Sequence, residues 1–171
     1  MAEKSRLTSS NIEIKIIKEY QVADAKRVIL SVGRKLYRWE ETLEEIIEQF
    51  EAQGELADID NFQSYYFEQG GLFLVVTDGK QVIGTGAVRR IDDTLCELKR
   101  LWLLEAYQGK GIGYQVLQEL IRFARASGYK RMWLETDKEQ ERAIHFYQRI
   151  GFQHREKYNQ RNSDVYMEMD I

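Results

Sequence analysis

The stretch LCELKRLWLLEAYQGKGIGYQVL, Leu95 to Leu117, decides the fold. Its first half reads as a strand, yet Leu98 and Leu101 differ in parity, so strict alternation cannot place both on one face. Either both faces are buried or a bulge sits near Lys99 and Arg100. Its second half puts Gly109, Gly111 and Gly113 in five residues. Ile112, Val116, Leu117, Leu120, Ile121 and Ala124 then trace one face of a helix. A strand, a glycine turn and a helix start form a natural anion site, because the first helical N–H groups lack intrahelical acceptors and the dipole is positive there. The alternative is a bare strand-to-helix turn. Against it, glycines in a first helical turn cost roughly ~1 kcal/mol each relative to alanine and call for a compensating role. Neither G-x-G-x-x-G nor G-x-x-x-x-G-K-[ST] occurs in the loop, which excludes the usual dinucleotide and P-loop readings.

Working outward, LFLVVT, DGK and QVIGTGAVRRI read as a hairpin from Leu72 to Ile91 that feeds the quoted strand. Upstream, IEIKIIKEY is a first strand. Two amphipathic helices follow, one on Val22, Ala25, Ile29, Val32 and Leu36, the other on Leu43, Ile46, Ile47 and Phe50. Thr42 with Glu45 predicts a capping box, and Gly54 a stop. Downstream, KRMWLET is a strand, and Asp137 is placed to cap a helix whose buried face is Ala143, Phe146, Tyr147 and Ile150, with Gly151 as its stop. FQHREKY and DVYMEMD predict two closing strands. The expected class is α/β (α+β), a mixed sheet with helices on its faces.

The 171 residues carry a formal net charge of -3, with 43% hydrophobic and 31% charged residues. That length suits a single domain over 1–171, with 1–10 a loose leading segment. Basic residues are interspersed with acidic ones, so no nucleic-acid stripe is expected. No apolar run approaches a membrane span and the start is too polar for a signal peptide, so a cytoplasmic protein is expected. Cys96 is the sole cysteine, which excludes an internal disulfide, and no paired Cys/His spacing suggests a metal. A lone strand cysteine is more often a small buried hydrophobe than a nucleophile.

The set Gln108-Gly109-Lys110-Gly111-Ile112-Gly113 resembles the Q/R-x-x-G-x-G/A signature of the GNAT superfamily of acetyl-CoA-dependent N-acetyltransferases. CELKRLWLLEAYQGKGIG, RMWLET and ERAIHFYQRIGF follow in that family's order, so the resemblance covers roughly the last hundred residues. It implies a mostly antiparallel sheet of six to seven strands, about four helices, and a splay between the fourth and fifth strands. It further implies acetyl-CoA as donor, with the amides from Gln108 to Gly113 on its pyrophosphate and Lys110 adding charge at the rim. The backbone of Leu101, Trp102 and Leu103 would pair with the pantetheine arm. Gln140 stands where the family often has asparagine, with Ala143 and Phe146 beside it on the same helix.

An alkyl ammonium must lose a proton before it attacks, at a cost of roughly ~4 kcal/mol at neutral pH, so a base is expected. By the same resemblance Glu97 is the first candidate, being otherwise a strand-face carboxylate that pairs with Lys99 or Arg100 or meets solvent; Glu135, at the end of the next strand, is the second. Tyr147 matches the family's proton donor to the departing thiolate, and without that match it reads as core. A backbone N–H near Leu101 would receive the developing oxyanion. The acceptor would meet Trp39 and an acidic, aromatic lip of Asp58, Asp60, Tyr65 and Tyr66, the alternative being a loop whose aromatics pack inward. The acceptor is a small-molecule or protein amine, and a homodimer is compatible with this reading. A non-catalytic module that binds coenzyme A or an acyl-coenzyme A is the competing function.

Overall fold

Seven short runs of alternating or continuous apolar residues pair into one sheet in the computed structural model, which describes residues 11–171. The expected loose segment 1–10 lies outside the described residues. The strands are β1 (Ile12–Ile16), β2 (Leu72–Asp78), β3 (Gln81–Arg90), β4 (Leu95–Leu103), β5 (Arg131–Thr136), β6 (Gln153–His154) and β7 (Val165–Asp170), in the order β1-β2-β3-β4-β5-β7-β6. All neighbours are antiparallel except β4 and β5. That parallel pairing lasts only from Leu95 to Glu97 against Arg131 to Trp133, after which the two strands diverge. The splay is therefore present, and it opens where the sequence parity breaks.

Helices α1 (Val22–Tyr37), α2 (Leu43–Ala52), α3 (Ala57–Asp60) and α4 (Phe62–Tyr65) cover one face, and α5 (Ile112–Ala126) and α6 (Glu141–Ile150) the other. The face predicted for α5 is buried at all six positions. Thr42 caps α2 as expected: its hydroxyl accepts from the Glu45 N–H at 3.3 Å while the Glu45 carboxylate accepts from the Thr42 N–H at 2.8 Å. Asp137 does not cap α6. Gln140 holds that position, and Asp137 instead accepts the Tyr37 hydroxyl at 2.7 Å. FQHREKY is not a full strand either; only Gln153 and His154 pair, and the chain then leaves the sheet.

The parity break is a bulge. Ala87 on β3 faces Lys99 on β4, whereas Thr85 faces Trp102, so two steps on β3 match three on β4. Arg100 is the extra residue, with φ at 55°, a left-handed conformation that a non-glycine side chain disfavours. After it, Leu101 returns to the core under α5 and Trp102 packs against the α1 side.

The strain is held by a clamp. Asp58 takes the Arg100 guanidinium in two bonds, at 3.1 and 2.6 Å, and the Tyr66 hydroxyl at 2.5 Å. Arg100 also donates to the Glu55 carbonyl at 2.7 Å, and its own carbonyl accepts the Thr85 hydroxyl at 2.6 Å. Burial pushes the Asp58 carboxyl up, but the bonds and charge of Arg100, with the Tyr66 hydroxyl, outweigh it and hold the group below its usual range. Asp58→Ala leaves Arg100 buried without a counter-charge and should cost about 3–5 kcal/mol in chemical denaturation. A depressed carboxyl gives its full stabilisation above its unfolded pKa of about 3.9, and this contribution should be lost progressively as pH falls from there through the lower pKa of the folded state. Asp58→Asn should show a shallower acid loss of melting temperature than the parent.

Candidate active site

A cleft of about 1010 Å³ opens at the splay, with Thr85 and Leu101 to Leu104 of the β4 region on one wall and α6 residues Ala143, Phe146, Tyr147 and Ile150 on the other. Those α6 positions follow the predicted apolar period, but only Tyr147 is buried, because the helix faces the cleft. Val32 and Leu36, read from the sequence as core, also line it.

The glycine loop forms its mouth. Gly109 and Gly111 have φ of 75° and 80°, and Gly111 is the N-cap of α5. Among the described residues no backbone carbonyl accepts the N–H of any residue from Gly109 to Tyr114; the first helical donor is Gln115, bonded to Gly111 at 3.1 Å. Six consecutive amides at a helix start are thus left for an anion. Gln108 sets the loop against the strand: its Nε2 donates to the Leu103 carbonyl at 2.8 Å, and its Oε1 accepts from Arg142 at 3.1 Å. Lys110 sits off the cleft wall, over the Tyr107 ring at 5.6 Å, and the Ile112 side chain is in the core, so Ile112 offers the cleft only its N–H. Arg142 and Lys35, both cleft-lining cations, were not singled out from the sequence. Arg142 falls one residue before Ala143 on the helix that carries the family match, which is the signal that could have found it.

Strand register refines the expected pantetheine contacts. The Leu104 N–H bonds the Ile83 carbonyl at 2.9 Å, and Trp102 stands opposite Thr85, so alternation turns the polar groups of Trp102 toward β3 and those of Leu101 and Leu103 toward the splay. Trp102 therefore contributes its side chain, not its backbone. The Leu103 carbonyl is already engaged by Gln108, which leaves the Leu101 N–H and carbonyl and the Leu103 N–H open. Gln140 lines the cleft and donates to the Tyr37 hydroxyl at 3.0 Å.

Tyr147 reaches the cleft with 7% of its surface exposed, and burial alone pushes its phenol above the ordinary range. Its hydroxyl stays protonated through neutral pH, the form a donor needs. Glu97 does not line the cleft. It is 1% exposed; one oxygen lies 3.3 Å from Arg89 and 3.8 Å from Lys99, and the other accepts the Tyr158 hydroxyl at 2.9 Å. A base there has no direct access to an incoming amine. Glu135 is held by Arg161 and by Asn159 at 2.7 Å. Cys96 is buried, and burial pushes its thiol up to about 12, as an inert core residue.

The expected acidic, aromatic lip is not formed. Asp58 and Tyr66 are buried in the bulge clamp, Asp60 pairs with Lys26, and Trp39 stacks on Tyr37 with ring centroids 5.4 Å apart. Tyr65 is half-buried, edge-on to Tyr66 at 4.9 Å. The inward packing of the aromatics is the arrangement present.

The Acetyltransferase (GNAT) family profile matches residues 36–152, from the end of α1 to the start of the closing strands. The chain belongs to that family. It is 30% identical over 100 residues to the uncharacterized N-acetyltransferase YjgM of Escherichia coli and 33% identical over 95 residues to human N-acetyltransferase 8B. Those matches cover 57% and 53% of this chain but only 60% and 42% of the two relatives. Among solved structures, an acetyltransferase from Streptococcus agalactiae superposes with a TM-score of 0.79 at 23% identity, covering 94% of this chain and 98% of that one. The PaiA N-acetyltransferase of Thermoplasma acidophilum, solved in complex with coenzyme A, gives 0.76 at 24% identity, covering 94% and 99%.

Gly111 has open space around it, so Gly111→Ala carries only the cost of its left-handed backbone, roughly ~1–2 kcal/mol. Thermal unfolding should show that loss; an unchanged midpoint would mean the loop relaxes to another conformation.

Proposed function

We propose that the chain transfers the acetyl group of acetyl-CoA to a primary amine by direct attack in a ternary complex. The observation that carries this reading is the run of six unbonded amides at the start of α5, set beside a splayed strand whose open polar groups line the same cleft. The residues present fit a long, diphosphate-bearing ligand. Amides from Gly109 to Tyr114 would hold the anionic end with Arg142 at the rim, and Leu101 and Leu103 would bond the amide-rich arm. Bound there, the donor supplies an activated thioester.

The chain's own residues then handle protons and charge. The Leu101 N–H is a preorganised donor for the oxygen on which charge develops. Tyr147 gives its phenolic proton to the departing sulfur. Because Glu97 is enclosed, the proton of the acceptor ammonium would leave through water or through the Tyr158 hydroxyl that Glu97 holds.

Incubation with acetyl-CoA and a panel of amines, with released thiol titrated, tests the reading. Turnover with at least one amine is expected. A coenzyme A-dependent rise in melting temperature without any thiol release would overturn it in favour of a binding module. Tyr147→Phe should lower kcat by about 10²–10⁴-fold while leaving the coenzyme A dissociation constant nearly unchanged. Since the phenol is shifted upward, Tyr147 should not produce the alkaline limb of the pH profile below about pH 10.

A further inference from the structure

On the sheet face opposite α5 and α6, the acids next to the bulge are not equally matched. Asp58 has Arg100 and Glu135 has Arg161, one cation each. Glu97 has two, Arg89 and Lys99. The direct pairs thus leave one positive charge in excess, in a partly buried place: Lys99 is 12% exposed and Arg89 32%.

Both cations are also short of acceptors. The Arg89 Nε is buried with no hydrogen-bond partner, and the Lys99 ammonium makes no hydrogen bond among the described residues, its nearest acid lying at 3.8 Å. Burial pushes the Lys99 amine down to about 8, against the opposing pull of Glu97. A half-matched cation in such a place is costly unless an anion completes it. Glu97, the partner of both cations, is the last β4 residue paired with β5, so Lys99 and Arg89 sit where the splay opens, on the face opposite Leu101. The anion it lacks would therefore enter at the opening of the splay, beside the Tyr158 hydroxyl that Glu97 accepts.

We propose that Lys99 and Arg89 recognise a carboxylate on the acceptor, so that the substrate is an amine that also bears a carboxylate, of the amino-acid kind, not a simple cationic amine. This rests on the acetyl-transfer reading and replaces the acidic lip expected from the sequence. A plain amine would meet the excess positive charge with its own ammonium; the carboxylate cancels it.

Matched acceptors decide it: several amino acids, each with its decarboxylated amine and its carboxamide, assayed for thiol release with saturating acetyl-CoA. The carboxylate member of each set should show a kcat/KM higher by about 30-fold or more, mainly through KM. Equal or better rates with the decarboxylated amines would overturn the inference while leaving acetyl transfer intact. Thiol release from no amine of any kind, with coenzyme A still raising the melting temperature, would defeat both. In Lys99→Met the ratio between carboxylate and decarboxylated members should collapse toward one, and Lys99→Arg should restore part of it. A ratio unchanged in Lys99→Met and in Arg89→Gln would count against the assignment. The comparison in the parent protein stands even if a variant fails to fold.

Discussion

The site depends on one extra residue in β4. Without the bulge at Arg100 the strand would keep its register, Leu101 would face the other layer, and β4 would continue to pair with β5. With it, the strand turns its open edge away from β5 and leaves polar backbone groups unpaired inside the protein, which a fold does not otherwise tolerate. The arrangement is kept by a two-bond carboxylate–guanidinium pair between Asp58 and Arg100, joined by a tyrosine. Burying three polar groups to hold one strained residue is a poor use of stability alone. It is understandable if the unpaired strand edge is meant for a ligand.

The glycine loop and the bulge are coupled through Gln108. Its side chain ties the loop to the Leu103 carbonyl on one side and to Arg142 of α6 on the other. Strand edge, helix start and the second cleft wall are therefore fixed relative to one another by a single amide group. Tyr37 ties the same N-terminal end of α6 to α1, bonding both Asp137 and Gln140. The cleft walls are thus positioned by polar contacts, while the apolar lining stays free for a ligand to cover.

What was legible in the sequence had local causes. The six buried positions of α5 follow from a 3.6-residue period, the Thr42 cap from a four-residue box, and the bulge from the parity of Leu98 and Leu101. What was misread had distant partners. Asp58 looks like an exposed loop acid until Arg100, 42 residues on, takes it. Asp137 looks like a cap until Tyr37, 100 residues earlier, claims its carboxylate. Glu97 looks like an accessible base until Tyr158, 61 residues later, covers it. β6 is short for the same reason: after the Arg155 N–H bonds the Tyr166 carbonyl at 2.9 Å the chain crosses the sheet face, where the Arg155 guanidinium lies 3.7 Å over Trp133 and Tyr158 packs tilted against the same ring.

The two halves of the site meet charge by different means. On the α5 side, the groups open to negative charge are backbone amides and solvent-facing rim cations, which cost little when water fills the mouth. On the opposite face the charges are partly enclosed, and a surplus there is screened by solvent less than at the open mouth. A ligand entering the first half is selected by length and shape, since amides accept any suitably placed anion. A ligand entering the second must complete an existing charge pattern, and one that fails to do so leaves a buried cation unpaired. Under the proposed function, selectivity for the acceptor would reside in Arg89, Glu97 and Lys99. The same separation explains why the glycine loop could be read from a six-residue motif, whereas the enclosed charge pattern around Glu97 became readable only once the chain was folded.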